Sequence, residues 1–147
     1  MVHVWGFDPG LTTGWCHLSV HENEIGVFNS GEADHLQIGN MLYDNPVLKC
    51  AIDKKEIELT FAVEKFIINP KTTQSPWSLE TIGLIRYFAN VYHIGFEMQT
   101  PSEAKNLITN DVLKRAGLYT RGEQHGRDAI RHALYYLIVK KGMLKEC

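Results

Sequence analysis

The sequence predicts an α/β domain built on a mixed five-stranded sheet, three antiparallel strands and then two parallel ones, with helices on both faces. Three observations predict it. Short β-rich runs at residues 2–7, 14–20 and 25–32 are separated only by tight turns, the pattern of an antiparallel meander. Two later apolar runs, 59–63 and 95–99, are separated by a helical pattern, as parallel strands require. The last third carries helix punctuation and a long apolar stripe.

The first run ends at Asp8, and Pro9-Gly10 turns the chain back at once. Glu22-Asn23-Glu24 makes the next turn. Residues 35–56 have helical character through Leu36, Met41 and Leu42, with a break or kink expected at Pro46. The strand at 59–63 ends at Glu64, and the polar stretch 68–78 reads as a loop. Ser75-Pro76 reads as an N-cap followed by proline at the first helical position. Ile82, Ile85, Ala89 and Tyr92 then recur at helical spacing. After the fifth strand, Thr100-Pro101-Ser102-Glu103 matches a capping box, so a short helix follows. The last helix starts between Thr120 and Gln124 and carries Ile130, Ala133, Leu134, Leu137 and Ile138 on one stripe.

A chain of 147 residues with 44% hydrophobic and 22% charged residues suits one domain, 1–147, with a core that needs no staples. Cys16, Cys50 and Cys147 form no paired spacing, which fits a reducing compartment. No basic stretch leads into an apolar region at the start, so no secretory signal is expected. "ALYYLIV" is too short to span a bilayer, so no membrane partner is expected. The net charge of -2 is unevenly spread: residues 21–64 hold nine acids against three lysines, whereas residues 101–147 hold nine Lys/Arg against five acids. That basic third is either an electropositive face for nucleic acid or ordinary solvated helix surface.

Asp8 and Glu64 each stand where a strand ends, so both fall at one edge of the sheet. His125 and Asp128 are three residues apart near the start of the last helix and share a face. Each alone has an ordinary explanation: a turn residue, a strand-end surface acid, a helix start. Together they are three carboxylates and an imidazole aimed at one point. Such a cluster repels itself and raises its pKa values unless a counter-charge arrives. A divalent cation supplies one; carboxylates suit Mg2+ or Mn2+, and two such ions about 4 Å apart can hold the attacking and leaving oxygens of a phosphodiester. Gly10 and Gly14 would then let backbone approach a phosphate, with the Thr12 and Thr13 hydroxyls beside it.

"GFDPGLTTGW", "FAVEKF" and "HGRDAIRHAL", in this order, resemble the RuvC-type Holliday-junction resolvases of the RNase H-like superfamily, the small bacteriophage members most of all. The resemblance spans nearly the whole chain, from Val2 to Leu137. It implies that Asp8, Glu64, His125 and Asp128 are the metal-binding catalytic set. His125 departs from the commoner aspartate, although some members carry histidine there. It further implies a metal-dependent homodimer that nicks opposing strands of a four-way DNA junction with two ions per site, in the cytoplasm (the host's, for a phage protein). An imidazole ligand must be neutral, so metal binding weakens below about pH 6.5. It also favours Mn2+ over Mg2+.

"TPSEAKNLI" resembles the family's basic helix, which makes Lys105 the candidate for touching the scissile phosphate. Lys114, Arg115, Arg121, Arg127 and Arg131 are candidates for sequence-blind phosphate contacts. Phe66 and Trp77 are candidates for stacking on exposed bases, with core or helix packing as their alternative. His132, one turn beyond Asp128, either packs or supports the acids. The aromatics of the helix over residues 79–92 spread around more than one face and suggest a dimer interface. Three competing readings remain: an actin-like or sugar-kinase ATPase, disfavoured by the length and the absence of a Gly-Gly pair; a nuclease for flaps, forks or packaging intermediates; and a non-catalytic DNA-binding module.

Overall fold

The computed structural model describes residues 1–54, 57–67 and 76–144. β1 (Val2–Asp8), β2 (Thr13–His21) and β3 (Glu24–Ala33) pair antiparallel; β4 (Glu58–Glu64) and β5 (Gly95–Gln99) join in parallel on the other side of β1. The spatial order is β3-β2-β1-β4-β5, the mixed sheet expected from the sequence. Glu22 and Asn23 both take positive φ, which matches the twist of a two-residue hairpin turn.

Alternation along the central strand divides the core. Trp5 and Phe7 point to one face, where Phe61 and Val63 of β4 join them. That face is covered by α1 (His35–Asp44), α2 (Pro46–Asp53) and α3 (Trp77–Val91) through Ile38, Leu42, Leu48, Ile82 and Ile85. Pro46 does more than kink a helix. It ends α1 and opens α2, and the Asn45 side chain accepts the Leu48 N–H at 2.9 Å. α3 begins directly after Pro76; Ser75, expected as its cap, lies outside the described residues.

Val4 faces the other layer, formed chiefly by α6 (Gln124–Tyr135), with α4 (Pro101–Leu107) and α5 (Asn110–Arg115) beside it. The capping box opens α4: Glu103 N–H donates to Thr100 Oγ1 at 3.3 Å, and Thr100 N–H to Glu103 Oε2 at 2.9 Å. α5 has no counterpart in the sequence reading; at six residues it is too short to show a periodicity. A π-helical turn, Tyr136–Lys140, ends α6 and holds Leu137 in the core. Among the described residues no helix is long and apolar enough to cross a membrane.

α6 lies directly on backbone. A Cβ at Gly14 would stand 1.8 Å from the His125 carbonyl oxygen, and one at Gly6 2.0 Å from that of Ala129. Gly14 therefore admits the helix, which corrects the expectation that it makes room for a phosphate. Two glycines in adjacent strands set the depth of α6, and so set where His125 and Asp128 arrive.

Candidate metal centre

Asp8 is the last residue of β1, Glu64 the last of β4, and Asp128 sits early in α6. The turn after Asp8 is held from within. The Thr13 hydroxyl donates to Gly10 O at 3.2 Å and accepts from Gly10 N–H at 3.3 Å. Thr13 is fully buried, so its hydroxyl closes the turn rather than facing a phosphate, while Thr12 stays exposed. Ser78 of α3 donates to Pro9 O at 3.0 Å and ties the turn to the opposite layer.

The start of α6 has no side-chain cap of its own. Glu32 on β3 supplies one: the His125 N–H donates to its Oε1 at 3.0 Å. The His125 ring lies over the end of β1, where Nδ1 and Asp8 Oδ2 form a hydrogen bond of 2.9 Å. Donor atoms that share one small cation are spaced about 3 Å apart, given metal–ligand bonds near 2.1 Å at right angles. The pair thus has the spacing of neighbouring ligands.

The carboxylates do converge. Asp8 is 7% exposed, with the Glu64 carboxyl beside it and the charge of Asp128 also felt. Burial first, and then the Glu64 contact and charge, push the Asp8 carboxyl up to about 9; Lys105 opposes this. Burial would raise Glu64 as well, but the neighbouring His132 and Asp8 side chains, with the charges of His132 and Lys105, bring it down to about 2. Two acids thus share one proton, held chiefly by Asp8. Carboxylates this close repel one another unless a proton or another counter-charge lies between them.

Two built-in cations complete the picture. Lys105 Nζ stands 3.6 Å from Asp128 Oδ2 and 4.0 Å from Glu64 Oε1, half exposed at the mouth of the site. Arg131 is a different matter. Expected as a solvent-facing phosphate contact, it is buried, and all three guanidinium nitrogens are engaged: Nε with Ile108 O at 2.9 Å, one terminal nitrogen with Asp128 Oδ1 at 3.0 Å, the other with Asn110 Oδ1. Its charge holds Asp128 in place and leaves Oδ2 turned toward Lys105.

Among the described residues no three His, Cys, Asp or Glu side chains are arranged to grip an ion as they stand. The donor set nevertheless suits a hard divalent cation, with three carboxylates and one imidazole. Among the described residues Glu64 Oε1 is buried without a hydrogen-bond partner, an acceptor whose satisfaction requires either a proton donor or a metal.

Two clefts flank the acids. One, of about 310 Å³, is walled by Asp8, Gly10, Glu64, Phe66, Ser78 and His125. The other, of about 390 Å³, is walled by Lys105, Asn110, Gln124, Arg127 and Asp128. Phe66 is half-buried against the Trp5 layer yet still forms part of the first cleft. Trp77 is half-buried, its ring 4.7 Å from that of His35. Lys114 and Arg127 flank the Tyr119 ring at 4.9 and 5.5 Å, and Arg127 also donates to Thr120 O at 3.0 Å. Arg115 and Arg121 are exposed.

One strand-end side chain passed unnoticed in the sequence. Gln99, in register with Glu64 on the neighbouring strand, is 1% exposed, and its Oε1 lies 2.8 Å from His132 Nδ1. A polar residue ending a predicted strand, level with the acids, was the available signal.

No family model matches the chain, and no curated protein matches it. Solved structures do. A Thermus thermophilus RuvC in complex with a Holliday junction substrate superposes with a TM-score of 0.70 at 15% identity, over 97% of this chain and 96% of that one. A second Thermus thermophilus RuvC structure gives 0.65 at 15% identity, over 96% and 97%. The chain therefore has the RuvC fold from end to end. The likeness carries nothing that favours bacteriophage members.

Proposed function

We propose that the chain is a divalent-metal-dependent endonuclease for branched DNA, and that its substrate is the four-way junction. The observation that carries this reading is the meeting of Asp8, Glu64, Asp128 and His125 from β1, β4 and α6 at one end of the sheet. The shared fold adds to it, since one of the similar structures holds a Holliday junction.

Asp8, Glu64, Asp128 Oδ2 and His125 Nδ1 would hold one or two Mg2+ or Mn2+ ions, which supply Lewis-acid activation of water and charge stabilisation at the phosphodiester. The remaining work falls to the protein. Asp8 would have to be ionised to hold a cation, which its neighbour Glu64 opposes until a counter-charge is present. Lys105 turns from the acids to a non-bridging phosphate oxygen as the strand enters between the two clefts. Arg131 keeps Asp128 from rotating. Phe66, in the wall of the first cleft, offers a face to a base opened at the crossover.

A junction has near two-fold symmetry, so paired nicks call for two copies of the chain. The exposed side of α3, with Leu84, Tyr87 and Val91, is the surface we assign to that contact. The deciding experiment is cleavage of four-way junctions, forks, flaps and linear duplexes in parallel. Symmetric paired nicks on the four-way junction alone support a resolvase. Equal cutting of flaps and forks points to a broader branched-DNA nuclease.

A further inference from the structure

His132, near the acids, is fully buried, at 0% exposure. It stands one helical turn after Asp128 on α6, facing the ends of β4 and β5. Its two ring nitrogens meet different partners. Nδ1 lies 2.8 Å from Gln99 Oε1. The Gln99 amide nitrogen donates to Glu97 Oε1 at 3.3 Å, and an ionised carboxylate only accepts, so the amide oxygen is the atom turned to His132. Nδ1 is therefore the donating nitrogen. The opposite nitrogen, Nε2, points at Glu64 Oε1 across 3.4 Å.

Both of those atoms are buried, and neither has a hydrogen-bond partner among the described residues. Two buried polar atoms left unpaired beside each other are costly, roughly 1–3 kcal/mol apiece. One proton on the line between them satisfies both, whichever atom carries it.

We propose that His132 is a positioning residue: anchored by Gln99, it fixes the rotamer of Glu64 so that the free carboxylate oxygen is presented to the cation. The chain Glu97–Gln99–His132–Glu64 joins β5 to β4 through α6. It gives Glu64 the fixed support that Arg131 gives Asp128. The proposal rests on the metal-centre reading above, but it concerns ligand orientation and is measurable without DNA.

The test is Mn2+ titration of the purified protein by calorimetry, with junction nicking measured beside it. His132→Leu removes the contact while keeping an apolar side chain in the core; His132→Gln places an amide nitrogen near the former Nε2. Loss of an outer partner of a metal ligand costs about 10–100-fold in metal affinity, and that weakening is expected for His132→Leu, with most of it recovered in His132→Gln. If His132→Leu melts out at the assay temperature, Gln99→Leu, which frees the ring while leaving it in place, is expected to show the same weakening. Unchanged Mn2+ affinity in a folded His132→Leu or Gln99→Leu protein overturns the proposal. Weakened affinity in a protein whose wild type leaves junctions uncut upholds the positioning role and overturns the nuclease reading. A wild type without affinity for Mn2+ overturns both.

Discussion

The Nδ1 atom of His125 lies 2.9 Å from Oδ2 of Asp8, joining the first turn of the last long helix to the end of the first strand across 117 residues of sequence. The contact exists because Glu32 caps that helix turn and because Gly14 lets it sit on the strand backbone. An imidazole in this place favours the softer ion. We expect nicking to be faster with Mn2+ than with Mg2+, and His125→Asp to narrow or reverse that ratio. Initial rates with each metal, for both proteins, check it. Equal ratios in the two would remove His125 from the ligand set.

The shared proton predicts how stability depends on pH without metal. The folded Asp8 carboxyl sits near 9, above its unfolded value, so the folded state holds the extra proton. Its stabilising effect is present at low pH and lost as pH rises from about 4 toward 9. Glu64, brought down to about 2, contributes the opposite way: its stabilisation is present above its unfolded value and lost only as pH falls toward 2. Between pH 5 and 9 the metal-free protein is therefore expected to lose stability with rising pH, and Asp8→Asn to flatten that slope. Denaturant melts in a chelator at several pH values measure it. Mn2+ should restore the lost stability at pH 8 in the wild type, and restore much less in Asp8→Asn.

A second pH effect is located far from the acids. His17 is 3% exposed, stacked 4.8 Å from Trp5, with its Nε2 2.9 Å from His3 Nδ1. Burial, then the charge of His3, lowers His17 to about 4, and burial lowers His3 as well. His17 remains neutral in the fold while the unfolded chain takes up its proton, so its stability contribution is full above about pH 6.5 and falls away toward pH 4. For His17 this amounts to roughly 3 kcal/mol. His17→Phe, which keeps a stacked ring, is expected to reduce the loss between pH 6.5 and 4; an unchanged slope would place the acid sensitivity elsewhere.

Glycine substitutions separate the helix seat from helix propensity. Gly14→Ala forces a Cβ to 1.8 Å from the His125 carbonyl, and backbone cannot yield cheaply on either side. We expect a loss of more than about 3 kcal/mol, and no nicking. Gly83→Ala on the exposed side of α3 meets nothing within 4 Å and is expected to gain about 0.5–1 kcal/mol. Thermal or urea unfolding of both proteins tests the pair of signs.

The strands were legible because each is a short apolar run closed by a turn, and because helical patterning separates β4 from β5. The positions of Asp8 and Glu64 at strand ends followed from that alone. Several features escaped, among them the turn of Gln99 toward His132. α5 is too short to show a period, and only Thr109 before it hints at a cap. Gly14 has the same appearance in a sequence whether it admits a phosphate or a helix; the crossing of α6 over β2 decides. Arg131 sits on a basic-looking helix yet is turned inward to Asp128, and the choice between packing and supporting the acids is made for His132 only where it meets Glu64. Which face of a helix meets which strand end is a tertiary fact, and local spacing does not contain it.

The most direct measurement is nicking of a four-way junction by the chelator-treated protein, before and after Mn2+ is restored, with Asp8→Asn alongside. Our account predicts no nicks without metal, symmetric paired nicks once it returns, and bound but uncut junction with Asp8→Asn. Cutting that survives chelation, or an Asp8→Asn protein as active as the wild type, would contradict it.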